Sequence, residues 1–129
     1  MFAGTRPDNL GVKDGRFTAC KPTPNCVSSQ ADPSDGEHYI APIAYSGTMQ
    51  ELRRAVESMT RAAVIREEGN YLYAEYKSAL LGYVDDVELL LDEKARLVHV
   101  RSASRVGRSD FGVNRKRIEE LRTLIGSRR

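Results

Sequence analysis

Apolar and polar positions alternate in four runs in the second half of the chain, a spacing typical of β-strands. These runs cover about residues 61–67, 70–78, 82–91 and 95–104, and short polar segments separate them. Neighbouring strands joined by loops of hairpin length pair in antiparallel fashion. The pattern therefore predicts an antiparallel sheet built mainly from consecutive hairpins.

Apolar residues at helical spacing predict one helix before these strands and one after them. Thr48 and Glu51 have the spacing of a capping box, which predicts a helix over about 48–60. A closing helix is indicated by a candidate N-cap at 109–110 and by an apolar face that contains Ile118, Leu121, Leu124 and Ile125. Residues 38–45 have the pattern of a short strand, and Pro42 places that strand at a sheet edge or a bulge, because proline cannot donate a ladder hydrogen bond. The predicted fold class is α+β, with about five strands in the order β-α-β-β-β-β-α.

Residues 1–37 lack this periodicity and hold four of the five prolines. They predict an extended N-terminal arm without regular structure, followed by a single α+β domain over residues 38–129. An irregular segment of this length is unusual in a small domain, so we expect it to wrap the body or to form a functional loop.

The length and the charge distribution of the chain restrict the functions that it can have. A chain of 129 residues suits one domain, and it has no apolar run near the ~18 residues of a membrane span. The net charge is +2, but residues 101–129 hold nine basic and three acidic residues. Such a segment binds an anionic surface or nucleic acid, or is the solvated face of a helix packed on an acidic sheet. We favour the helix interpretation and do not expect nucleic acid as a partner.

The densest charges are an acidic run at residues 85–88 and a basic run at 101–105, on adjacent predicted strands. With a turn at 92–95, one register forms two opposite-charge pairs, Glu88 with His99 and Asp86 with Arg101. The preceding hairpin adds Tyr71 beside Glu88 and Tyr73 beside Asp86. We expect this face of the sheet to be solvated.

Asp85 points to the other face of the predicted sheet, toward the core. A carboxylate in that position needs a partner. We expect that partner to be Arg105 or a backbone amide at the start of the last helix.

Two cysteines and two histidines are the candidates for thiol or metal chemistry. Cys20 and Cys26 have a spacing that suits a small disulfide loop in an oxidising compartment, while a pair of inert thiols and a reactive Cys26 stay open. Zinc requires more ligands than two thiols, and neither His38 nor His99 lies at a familiar metal spacing. We expect no metal and no cofactor.

Five blocks of sequence carry a resemblance to a known family. They are Leu10-Gly11-Val12, the segment from Cys20 to Ser29 with its Pro-Asn-Cys-Val-Ser-Ser core, Tyr83-Val84-Asp85-Asp86-Val87-Glu88, His99 to Arg105, and Ser109-Asp110-Phe111-Gly112-Val113-Asn114-Arg115. With these blocks the chain resembles the bacterial and plastid family called domain of unknown function 1499. The family has no accepted activity. Its members often begin with a signal or membrane segment, which implies an extracytoplasmic location and leaves a cytoplasmic one open.

Many of the residues that carry the resemblance are polar ones that a hydrophobic core does not require. These candidate ligand-binding residues are Asn25, Ser28, Asp85, Asp86, Arg101, Ser104, Arg105, Asp110 and Asn114. They predict a non-enzymatic module that binds a small polar or anionic ligand, or a protein partner. The alternative is a hydrolase- or transferase-type enzyme that uses Asp85 and Asp86 as acid and base.

Overall fold

The computed structural model describes residues 3–79 and 81–126. Its elements are, in chain order, β1 (Cys26–Ser28), β2 (Ile43–Ala44), α1 (Met49–Glu57), β3 (Ala62–Glu68), β4 (Tyr71–Lys77), β5 (Val84–Asp92), β6 (Leu97–Ser104) and α2 (Val113–Gly126). The predicted α+β class and the order β-α-β-β-β-β-α are confirmed for residues 38 onward. The strand β1 was missed, since three residues are too few to show a period.

The strands form one antiparallel sheet in the order β1-β6-β5-β4-β3, with β2 also paired to β6. The long strands follow one another as hairpins, as their spacing predicts. Both β1 and β2 pair with β6, β1 toward its C-terminal end and β2 toward its N-terminal end. The expectation that residues 1–37 contain no regular structure is therefore wrong at β1. The two-residue length of β2 agrees with an edge strand that follows Pro42.

Both predicted hairpin registers are wrong by two residues. Glu88 lies opposite Arg101 rather than His99, and it lies opposite Tyr73 on β4. In the β5–β6 hairpin the turn begins one residue later than predicted, because the carboxylate of Asp92 accepts the amide of Ala95 and holds the turn there. A shift of two residues keeps every side chain on its predicted face.

Helices α1 and α2 cover one face of the sheet, and the core lies between them. Leu72, Val87 and Val98 from the sheet pack there with Leu52 of α1 and Ile118 of α2, all essentially without solvent contact. Burial of each such side chain stabilises the fold by roughly 1.5–3 kcal/mol. The predicted capping box is present, since Thr48 Oγ1 accepts the amide of Glu51 and Glu51 accepts the amide of Thr48.

The N-terminal arm covers the opposite face of the sheet. Phe17 and Leu10 pack against Tyr71, Tyr73 and Leu90. A disulfide between the two cysteines, the predicted Cys20–Cys26 pair, closes a loop just before β1. The expectation that this face is solvated is therefore wrong, because the arm replaces the water.

Within residues 3–79 and 81–126, neither α1 nor α2 has the length and apolar character needed to cross a bilayer.

Candidate functional site

The centre of the arm-covered face is an ion pair between Asp86 and Arg105. Nε of Arg105 lies 2.9 Å from Oδ2 of Asp86, and Nη2 lies 2.9 Å from Oδ1. This two-point geometry is the strong form of an arginine–carboxylate pair. The hydroxyl of Tyr73 also donates to Asp86 Oδ1. Asp86 is only 1% exposed, so its charge is compensated inside the protein.

Glu75 extends this network and connects it to the arm. Its Oε2 accepts hydrogen bonds from Arg6 in the arm, at 2.6 Å, and from Arg105, and it lies 2.8 Å from the Tyr73 hydroxyl, whose single proton it shares with Asp86. Burial by itself would raise the pKa of Glu75, but these three donors outweigh it and lower the pKa to about 2. Burial raises the pKa of Tyr73, so its hydroxyl stays protonated and remains a donor.

Glu88 is the most deeply buried carboxylate of this face, with no solvent exposure. Its Oε2 accepts from the Tyr71 hydroxyl at 2.6 Å and from the backbone amide of Gly11 at 2.7 Å. Gly11 has a φ of +102°, a conformation that favours glycine, and it brings the arm backbone within hydrogen-bond distance of the sheet. The other oxygen, Oε1, has no hydrogen-bond partner among the described residues.

Arg101 lies directly opposite Glu88 but does not form a hydrogen bond with it. Nη1 of Arg101 is 3.6 Å from Oε1 of Glu88, so the two side chains form an ion pair at a distance that is too long for a hydrogen bond. Arg101 is 8% exposed, and its Nε has no hydrogen-bond partner within residues 3–79 and 81–126. Burial lowers the pKa of Arg101, and the negative charges of Glu88 and Asp86 oppose that change. A buried guanidinium nitrogen without a partner is rare in native structures and requires an explanation.

Arg101 borders a cavity of about 260 Å³ between the arm and the sheet, which we call the arm cavity. Its sheet side is formed by Asp86, Arg101, Ala103, Ser104 and Arg105. The other side is formed by Thr5, Pro7, Asp8 and Asn9 of the arm and by Lys21 and Asn25 of the disulfide loop. The border of this cavity therefore carries three basic side chains, Arg101, Arg105 and Lys21, and two carboxylates, Asp8 and Asp86.

The other predicted acid, Asp85, lies on the helix side of the sheet and does not pair with Arg105. Its Oδ2 is 2.9 Å from Nη1 of Arg117 in α2. The expected Asp85–Arg105 pair is wrong because Arg105 continues the alternation of Arg101 and projects to the arm side. Arg117 also stacks on the Tyr76 ring, with its guanidinium carbon 4.8 Å from the ring centre.

Asn114, at the start of α2, is the hub of the polar contacts on the helix side. It is fully buried, and its Oδ1 accepts from the Ser102 hydroxyl at 2.6 Å. Its Nδ2 donates to Asp110 at 2.8 Å, to Ser104 at 2.9 Å and to the backbone oxygen of Asn25 at 3.3 Å. Asp110 accepts the amides of residues 112 and 114, so the predicted cap acts on α2. This cluster joins α2, β6 and the residue before β1.

The structure thus distributes the nine candidate residues over two places. Asp86, Arg101, Arg105 and Ser28 lie on the arm side, where Ser28 pairs with Arg101 across the strands. Asp85, Asp110 and Asn114 lie on the helix side. Asn25 and Ser104 belong to both, because they contact Asn114 and also border the arm cavity.

Sequence reasoning placed some further site residues on the right face and missed others. Strand alternation correctly places Tyr71, Tyr73 and Glu88 on the same face as Asp86. Arg6 and Arg117 carry no local sequence signal. Gly11 and Lys21 lie in blocks that carry the family resemblance, but their contacts, like those of Arg6 and Arg117, depend on how distant segments pack.

The histidines take part in local contacts. His38 contacts Asp35 and the backbone oxygen of Thr23, and His99 Nδ1 lies 3.0 Å from the hydroxyl of Ser29. Burial lowers the pKa of His99. In the part of the chain that the structure describes, no group of three or more His, Cys, Asp or Glu residues could hold a metal ion.

The chain forms a single-sheet α+β protein whose disulfide-tethered arm covers a buried acid–arginine network and leaves a small polar cavity beside it. The chain belongs to the family described as protein of unknown function (DUF1499), whose family model matches residues 16–125. The resemblance found in the sequence blocks is thereby confirmed. No curated protein and no solved structure shows a significant match to the chain.

Proposed function

We propose that this protein binds a small anionic ligand, one that carries a carboxylate or phosphate group, in the arm cavity. The observation that carries the proposal is Arg101, whose Nε is buried beside that cavity without a hydrogen-bond partner. A guanidinium offers donors in a planar fork that fits a carboxylate or phosphate. An anion in the arm cavity would add an acceptor for the guanidinium group of Arg101, which borders that cavity.

The charges around the cavity support an anion rather than a cation. Asp86 is already engaged by Arg105, so it has little capacity left for a cationic ligand. Lys21, on the disulfide loop, adds a second positive charge at the border, so that Arg101 and Lys21 together exceed the single negative charge of Asp8 in the arm. Thr5 and Asn9 of the arm bring polar groups that can orient the rest of a ligand.

The contacts of the acidic side chains favour binding over acid–base catalysis. Asp86 is engaged by Arg105, and Asp85 is paired with Arg117. The lowered pKa of Glu75 keeps that carboxylate ionised far below neutral pH. General acid–base catalysis works best with groups whose pKa lies near the operating pH.

The test measures thermal unfolding with inorganic phosphate and with succinate at constant ionic strength. A ligand at 100 times its Kd stabilises a protein by about 2.7 kcal/mol, so at least one of these anions should raise Tm by several degrees. Arg101→Lys should weaken the effect, because lysine keeps the charge but loses the fork. Ala103→Leu should abolish it by filling the cavity without changing any charge.

Lys94→Met is the matched control, since Lys94 is an exposed basic residue in the β5–β6 turn, away from the cavity. It should respond to the anions like the unmodified protein. If neither anion stabilises the protein, or if Arg101→Lys and Ala103→Leu respond in full, the proposal is wrong.

We also propose that the protein works outside the cytoplasm. The Cys20–Cys26 disulfide supports this, because such bonds persist in oxidising compartments. The test is alkylation of free thiols in intact cells of the native source before the protein is extracted. Two alkylated cysteines per chain would contradict the proposal, and none would agree with it.

A further inference from the structure

Large apolar side chains are exposed together at one end of the sheet. The loops that follow β4 and β6 and the start of α2 all lie there. The exposed side chains are Leu81, Tyr83, Val106, Phe111 and Val113, which we call the Phe111 end. Four of the five, all but Leu81, border one apolar cavity of about 290 Å³, so they form a contiguous surface. An exposed apolar patch of this kind usually marks an interaction site.

Phe111 is the most unusual residue of this surface. It is 96% exposed, so it contributes almost nothing to the core. Its φ is +54°, in the left-handed region that is unfavourable for a bulky side chain. The fold thus holds an aromatic ring in solvent at an additional cost in backbone strain. Strain of this kind tends to occur at functional positions.

Basic side chains surround the Phe111 end. A second recess shares Val113 with the apolar cavity and is bordered by Arg61, Lys77 and Lys116. The backbone amide of Lys77 donates to the oxygen of Arg61, which fixes these two residues side by side. Arg108 lies in the loop between Val106 and Phe111. All four basic side chains are exposed.

The acids at this end are mostly engaged within the protein. Asp85 is paired with Arg117, and Asp110 accepts amides at the start of α2. Glu120 at the edge of the second recess leaves an excess of positive charge over the whole surface. The charge therefore complements an anionic partner.

We propose that the Phe111 end docks on a membrane surface that contains anionic phospholipid. Phe111 and its apolar neighbours enter the interfacial region, while the surrounding lysine and arginine side chains contact the headgroups. Peripheral proteins combine these two elements, apolar or aromatic insertion and basic charge. The apolar residues come from two separate loops and the first residue of α2 rather than from one continuous element, which suits insertion into a bilayer better than a packed protein interface. This docking is independent of the ligand proposed for the arm cavity.

The experiment is sedimentation of the protein with vesicles of pure phosphatidylcholine and with vesicles that contain 30% phosphatidylserine. We expect binding to the anionic vesicles, little binding to the neutral ones, and weaker binding at high salt because the charges are screened. Phe111→Asn should reduce the partition coefficient about tenfold, and asparagine suits the left-handed backbone. Lys116→Glu should reduce it by a similar factor.

Two matched controls separate the surface from general effects. Lys94→Glu makes the same charge change in the β5–β6 turn, and Ile65→Thr removes an exposed apolar side chain from β3; both should bind like the unmodified protein. The proposal would be contradicted if Lys94→Glu lowered vesicle binding as much as Lys116→Glu, or if Ile65→Thr lowered it as much as Phe111→Asn. Absence of binding to anionic vesicles would also overturn it and would leave an acidic protein as the occupant of this surface.

Discussion

Replacement of Asp86 by asparagine is expected to lower the free energy of unfolding by about 3 kcal/mol. The variant keeps the size of the side chain but removes the negative charge that two nitrogens of Arg105 and the hydroxyl of Tyr73 contact. Arg105 would then stay buried with only Glu75 as a charged partner. The loss is large compared with the 5–15 kcal/mol that a domain of this size has in total.

The measurement is urea unfolding followed by far-UV circular dichroism and by tyrosine fluorescence, since the chain has no tryptophan. The slope of the transition should not change, because the loss concerns the native state. Glu93→Gln is the matched control: it removes one carboxylate charge from the exposed β5–β6 turn and should change stability by less than about 0.5 kcal/mol. A change below 1 kcal/mol in Asp86→Asn would show that the pair with Arg105 does not stabilise the sheet.

Replacement of Asn114 by alanine is expected to cost about 3 kcal/mol as well. Asn114 is fully buried; its Nδ2 lies within hydrogen-bond distance of three acceptors, and its Oδ1 accepts from two donors. Each buried polar group left without its partner costs about 1–3 kcal/mol. The loss should also loosen the contact between α2 and the segment before β1, which hydrogen exchange of the α2 amides would detect.

Asn114→Asp gives a sharper test than alanine alone. The aspartate has nearly the same shape but cannot donate, and it would place a second carboxylate beside Asp110, whose Oδ2 is 2.8 Å from Nδ2 of Asn114. We therefore expect it to be at least as unstable as Asn114→Ala at neutral pH and to recover part of the loss at low pH. Lys116→Ala on the exposed side of the same helix should have little effect. If Asn114→Asp were as stable as the unmodified protein, the donor contacts of Asn114 would not matter.

The Asn114 cluster on the helix side and the acid–arginine network on the arm side have different consequences for function. The Asn114 cluster is closed, since both of its polar atoms have partners, and it serves to fix α2 on the sheet. The arm side is incomplete, because Arg101 and Glu88 each retain a buried atom without a partner. An incomplete polar network is costly for stability. A ligand that offers an acceptor to Arg101 would remove part of that cost.

The faces of the strands were predictable, while the pairing between strands was not. Alternation depends only on local backbone geometry, so Asp85 and Asp86 were correctly placed on opposite faces. The register depends on where each turn closes, and the Asp92–Ala95 contact and the Ser78–Tyr83 loop contacts moved both hairpins by two residues. As a result Arg101 lies opposite Glu88, which leaves it beside the arm cavity rather than in a surface pair with Asp86.

Short-range patterns in the sequence were sufficient to predict the α+β class, the order of the long elements, both helices and the family, while the state of the two cysteines stayed open until the structure showed their disulfide. The predicted features follow from local periodicity, capping chemistry and short motifs, all of which act over a few residues. Long-range packing sets three features that no local pattern predicts: the arm covers the acidic face, Arg105 pairs with Asp86, and Arg117 pairs with Asp85. Those contacts join residues far apart in the chain, and their free energy depends on burial that no local pattern records. The environment of Arg101, and with it the proposed site, arises from that long-range packing.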